Sequence, residues 1–102
     1  MINVRTLRNL KDNDGLTLKN GKQIEFRTGY HVATERVEVT TPEEARNAVK
    51  RYGGNCGVWF SNGIYYIDKS HRESTLKRAL EVGREHAQQS ILRWRDKGLV
   101  WC

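Results

Sequence analysis

The stretch Gly54-Asn-Cys-Gly-Val-Trp-Phe-Ser-Asn-Gly-Ile-Tyr-Tyr-Ile-Asp68 leaves the chain few choices of fold. Asn62-Gly63 separates two apolar runs of β-prone residues. Both residues tolerate positive φ, so the spacing predicts a two-residue type I′ hairpin. Such a turn pairs Ser61 with Ile64, Phe60 with Tyr65, Trp59 with Tyr66 and Val58 with Ile67. Cross-strand partners share a face, and neighbours along a strand alternate. One face then carries Val58, Phe60, Tyr65 and Ile67, and the other carries Gly57, Trp59, Ile64 and Tyr66. A hairpin with one wet side would be polar on one of them. Either both sides are covered, or one face is a binding surface. Apolar residues are usually core, which favours cover, and the N-terminal residues Val4, Leu7 and Leu10 are the expected cover for Trp59.

The flanking segments read less directly. Val4, Leu7 and Leu10 suit either a short helical stripe or an edge strand, and Asp12-Asn13-Asp14-Gly15 is a turn by composition. In Leu16 to Phe26, a three-residue loop at Lys19–Gly21 would pair Leu18 with Lys22 and Leu16 with Ile24. That register puts Leu16, Leu18, Ile24 and Phe26 on one face. Tyr30 to Thr40 reads as a strand or second hairpin. Its apolar phase shifts between Val32 and Val37, which predicts a bulge or turn near Thr34–Arg36. A helix should follow, with Thr41 as N-cap, Pro42 at the first position and Glu44 completing a capping box. Ala45, Ala48, Val49 and Tyr52 form its apolar stripe, and Gly53-Gly54 stops it. After a polar connection from Asp68 to Thr75, a second helix is predicted to about Asp96. Its stripe is Leu76, Leu80, Gly83, Ala87, Ile91 and Trp94, with Gly83 there to admit a close neighbour. Leu99 to Cys102 reads as a last strand. The pattern is a single α+β domain over residues 1–102, a mostly antiparallel sheet of hairpins packed with two amphipathic helices in the order β-β-β-α-β-β-α-β.

Charge and chemistry narrow the function. The 102-residue chain carries a net charge of +6, which favours anionic partners such as nucleic acid, a ribonucleoprotein or an acidic protein surface. Met1 to Leu10 has no apolar signal-like core, and no run approaches the ~20 apolar residues of a membrane span. A cytoplasmic protein is expected, with Cys56 and Cys102 as free thiols. His31, His71 and His86 lack metal-ligand spacing, so no metal or cofactor is expected. Gly53 to Gly57 precedes a strand, which excludes a phosphate loop. Asp68, Lys69, His71 and Arg72 form the one polar cluster with enzyme-like content, Asp68 for a metal and His71 as base; a solvated loop explains it as well. Cys56 has no activating neighbour in sequence.

The basic residues offer a binding surface. Arg46, Lys50 and Arg51 fall on the first helix, and Arg78, Arg84, Arg93 and Arg95 on the second as predicted. Side by side, these helices would present a continuous basic patch; as separate solvated faces they would be ordinary. Trp59 and Tyr66 could stack bases, as in sheet-based RNA binders, although the RRM signature is absent.

The phrase from Gly54 to Arg72, together with Gly83-Arg84, Gln88-Gln89-Ser90-Ile91 and Trp94, resembles small accessory proteins of Gram-positive phages and plasmids. Some of these are anti-CRISPR inhibitors of type II effector nucleases. The resemblance covers about the C-terminal half. It implies a compact, non-enzymatic protein that binds and blocks a host defence nuclease, its guide RNA or the ribonucleoprotein. DNA mimicry by negative charge is excluded for so basic a chain. A general RNA- or DNA-binding module and a small enzyme using Asp68 to Arg72 are the alternatives.

Overall fold

Asn62 and Gly63 adopt φ of 52° and 78°, the left-handed pair a type I′ turn demands. They join β4 (Asn55–Ser61) to β5 (Ile64–Glu73). The register is the expected one, from Ser61 opposite Ile64 to Val58 opposite Ile67. The computed structural model describes residues 1–102. The remaining elements are α1 (Val4–Arg8), β1 (Asp14–Lys19), β2 (Lys22–Gln23), β3 (Tyr30–Val39), α2 (Pro42–Tyr52), α3 (Leu76–Glu85), β6 (Ser90–Arg93) and β7 (Gly98–Trp101). This is an α+β fold with a seven-stranded, mostly antiparallel sheet in the order β2-β1-β4-β5-β3-β6-β7. The element order contains the expected one, with α1 added in front and β6 formed from the end of the second predicted helix. Packing divides the chain into two units, residues 1–24 with 35–69, and residues 25–34 with 70–102.

In the first unit, β1 lies antiparallel to β4, so Leu16 faces Val58 and Leu18 faces Cys56. These residues join Phe60, Tyr65 and Ile67 in one core, closed by Ala45, Ala48 and Val49 of α2. The Thr41 hydroxyl accepts the Glu44 amide at 3.2 Å and donates to the Glu44 carboxylate at 2.8 Å, which is why α2 starts there. α1 packs into the same core through fully buried Leu7. The Tyr65 hydroxyl donates to the Leu7 carbonyl at 3.0 Å. The N-terminal segment therefore covers the Val58–Tyr65 face, not the Trp59 face that the sequence suggested. Leu7 and Ile2 are buried in the core that α2 closes, where several apolar side chains surround them, and Trp59 stays 45% exposed.

The first hairpin also departs from expectation. Leu18 pairs with Gln23 and Lys19 with Lys22, a two-residue turn at Asn20-Gly21 with φ of 51° and 78°. The three-residue loop would have aligned four apolar residues, but two of them do not need that face. Ile24 donates its amide to the Thr17 carbonyl and stays half-buried. Phe26 packs against His31 and Trp94 in the second unit. Asn20 further locks the register: its side chain accepts the Gly54 amide at 3.2 Å while its amide donates to the Gly54 carbonyl.

The second unit has its own core of Val32, Ala79, Val82 and Ile91, with Tyr30, Leu80 and Val100 against it. β3 is one uninterrupted strand without the expected turn. Its phase shift is absorbed because Tyr30 and Val32 serve this core while Val37 and Val39 serve the core of the first unit. α3 stops at Glu85 rather than Asp96. Ala87 takes φ 54°, and the amides of Gln88 and Ala87 donate to the carbonyls of Gly83 and Arg84. That is a Schellman ending built on alanine instead of the usual glycine. Beyond it, Ser90–Arg93 and Gly98–Trp101 form a hairpin. A Cβ on Gly83 would lie 3.2 Å from Ile91 Cγ2 and 2.7 Å from Cys102 Sγ, so Gly83 does admit a close neighbour. Gly29 does the same for Arg72, whose guanidinium donates to the Thr28 carbonyl at 2.8 Å and sits 4.9 Å from the Phe26 ring centre.

His31 is buried edge-on against Phe26 and Trp94, with ring centres 5.1 and 5.2 Å away. Burial, aided by the Arg72 charge, lowers its pKa to about 4. The unfolded chain then binds a proton that the folded chain rejects. Stability from this site is complete above pH ~6.5, falls as the pH drops toward ~4, and levels off below, with a total loss of about 3 kcal/mol. Urea titrations across that range should show the loss, and His31→Phe should flatten it. Leu7→Ala should cost about 2–4 kcal/mol in the same assay; a loss below about 1 kcal/mol would show that α1 is not part of the core.

Candidate nucleic-acid interface

The two faces of β4 differ because of what lies beside them. Gly15 of β1 pairs with Trp59, and Trp59 pairs with Tyr66. A Cβ on Gly15 would come within 3.2 Å of Trp59 Cε3. The missing side chain lets the indole rest on the sheet, 45% exposed. Tyr66 lies beside it, half-buried, and the Arg36 guanidinium sits 5.6 Å from its ring centre. Asp68 holds Arg36 in place by a 2.7 Å ion pair, which raises the Arg36 pKa further above its usual value. The result is a row of indole, phenol and guanidinium, each offering a flat π or cationic surface. Rows of this kind stack planar ligands and single-stranded bases.

The basic residues singled out by sequence divide between the two units, Arg46, Lys50 and Arg51 in the first and Arg78, Arg84, Arg93 and Arg95 in the second. Arg46 donates to the Ile2 carbonyl at 3.2 Å and ties down the N-terminus. Arg51 lies 5.8 Å from the Tyr52 ring centre, while Lys50 is exposed. Arg78 pairs with Glu81 at 3.2 Å, and Arg84 is exposed. Arg93 lies on β6 and Arg95 in the turn after it, not on the second helix as predicted, because α3 has already ended. Arg93 donates to both oxygens of Asp96 at 2.9 and 2.8 Å, which lowers the pKa of that carboxyl to about 2. Arg95 is exposed.

The polar cluster is not a loop. Asp68 to Arg72 belongs to β5, and residues three apart on a strand face opposite ways, so Asp68 and His71 diverge. Asp68 is committed to Arg36 and Arg72 to Thr28. No group of three His, Cys, Asp or Glu side chains could hold a metal ion. No helix is long and apolar enough to cross a membrane. Sequence reading missed Arg36. It sits where the apolar phase of β3 changes, so its face could not be assigned, and only its distance to Tyr66 brings it into the row.

Both cysteines are free. Cys56 is buried against α2 and desolvation pushes its thiol up to about 12. Cys102 is exposed. A thiol reagent should therefore modify Cys102 promptly in the native protein and Cys56 only on unfolding; rapid double labelling would contradict this core. Trp59→Ala should cost no more than ~1–2 kcal/mol in chemical denaturation, well short of the ~3–5 kcal/mol of a buried aromatic. No family model matches the chain, and neither a curated protein nor a solved structure does.

Proposed function

We propose that this chain is a non-enzymatic binding protein whose open sheet face stacks the bases of single-stranded RNA. In the bacterial cytoplasm its target would be a host defence nuclease, engaged through the guide RNA or the assembled ribonucleoprotein. The observation that carries this reading is Trp59, 45% exposed beside Tyr66, with Arg36 held over the Tyr66 ring. Base–aromatic stacking contributes ~1–3 kcal/mol per base and tolerates any sequence. The +6 charge adds a nonspecific attraction to phosphates. The resemblance to phage and plasmid accessory proteins, some of them anti-CRISPR, supplies the cellular setting. A general RNA- or DNA-binding role would use the same face without a defence target.

Fluorescence anisotropy with a labelled single-stranded RNA of about ten nucleotides tests the stacking. Trp59→Ala should weaken binding at least about tenfold and Tyr66→Ala should weaken it too, with a duplex of the same sequence binding less well. Equal affinity for wild type and Trp59→Ala would sink the reading. Charge reversal at Arg84 should instead lower affinity by a factor that shrinks as salt rises. A cleavage assay with a guide-loaded effector nuclease decides the setting: inhibition lost in Trp59→Ala supports it, and no inhibition by wild type leaves the general RNA-binding role.

A further inference from the structure

We propose that Lys19 and Lys22 hold backbone phosphates of the single-stranded RNA whose bases stack on Trp59, an inference that rests on the stacking role of that face. The strand register places them there. Gly15 lies opposite Trp59, and Lys19, four residues on, lies opposite Asn55. Residues two apart on a strand share a face, so Lys19 lies on the side of Gly15 and Trp59. Lys22 is the cross-strand partner of Lys19 and shares that side. Both lysines are exposed, and neither forms an ion pair. The hollow beside them is lined by Lys19, Asn20, Lys22, Gln23 and Ile24, none of them acidic.

Like charges directly opposite each other on paired strands destabilise the pairing. The Asn20-Gly21 turn nevertheless fixes the two lysines in that position, and Asn20 is itself tied to Gly54. A phosphate between the ammonium groups relieves the repulsion. Lysine binds phosphate as a point charge, and such contacts position a strand without reading its sequence. The way from Trp59 to the lysines is open. Thr17 and Gly57 face each other between the two rows, and a Cβ on Gly57 would meet only Asp68 Cβ, at 3.9 Å. The four residues from Gly15 to Lys19 span about 14 Å, the length of about four nucleotides of stacked strand. That length falls within the site sizes of single-strand binders, which combine stacking rings with a cationic path for the backbone. The aromatic row supplies the rings here, and the lysine pair supplies the charge.

The test is anisotropy of the full chain with the labelled ten-nucleotide RNA, repeated from about 50 to 300 mM salt. Lys19→Ala/Lys22→Ala should lower the slope of log affinity against log salt by about 1.4, as two lost phosphate contacts require, and weaken binding at least about tenfold at the low-salt end. Its melting temperature should not fall, because a repulsive pair has been removed. Arg5→Ala, exposed on α1 across the sheet, should change the slope by less than about 0.3. In ¹⁵N spectra of the wild type, the Lys19 and Lys22 amide signals should shift along the same titration curve as the Trp59 indole. An unchanged slope in the double variant, with Trp59→Ala still weakening binding, would overturn the lysine assignment and leave the stacking face standing. A slope change in Arg5→Ala as large as that of either lysine alone would also overturn it, reducing the effect to diffuse charge. So would a poly-glutamate peptide that binds as tightly as the RNA, since acidic protein would then be the occupant. Failure of the wild type to bind the RNA at any salt would overturn the stacking role and the lysine pair together.

Discussion

A slip of one residue at the Asn62-Gly63 turn would exchange the two faces of the hairpin, because side chains on a strand alternate with period two. Trp59 would enter the core against α2, and Val58 would meet solvent. The turn prevents this because its two left-handed residues suit only a two-residue loop whose twist matches the strands. Everything around the exposed row inherits that register. Gly15 can lie under the indole only because β1 pairs with β4 one-to-one from Asp14 opposite Phe60 to Lys19 opposite Asn55. Both ends of that ladder are tied. Asn62 donates its amide to Asp12, and Asn20 bonds reciprocally with Gly54.

The positive charge of the chain overstates the cationic surface it can offer. Arg36, Arg78 and Arg93 each face a carboxylate, and Arg46 and Arg72 bond to backbone carbonyls. Surface ion pairs such as these stabilise little, but they fix where the guanidiniums lie. Arg36 gains most from this, since Asp68 sets it over Tyr66 and turns a mobile charge into part of a flat surface. Affinity built on such a surface rests more on stacking than on diffuse charge.

The second unit solves a different problem. Its rings enclose an imidazole that has lost its protonated form to burial. Gly29 allows Arg72 to close over Phe26, and Gly83 allows the end of the chain to pass α3. Trp94, expected on a helix stripe, packs instead against Phe26 and His31.

By itself the sequence determined the local elements whose signals lie within a few residues. These are the Asn62-Gly63 register, the capped start of α2 at Thr41 and the α+β class. Turn geometry and capping are short-range chemistry, so neighbours suffice to specify them. Tertiary structure decided the rest. The end of α3 depends on Ala87 accepting a left-handed conformation, which no glycine announced. The strand Ser90–Arg93 has helix-like spacing with α3 and becomes a strand only by pairing with β7 and β3. The uncovered side of Trp59 follows from Leu7 and Ile2 burying into the core closed by α2, and Arg36 joined the row only through contacts across the sheet. Such outcomes turn on which of several apolar surfaces a segment buries most fully, a comparison that exists only once the chain has folded.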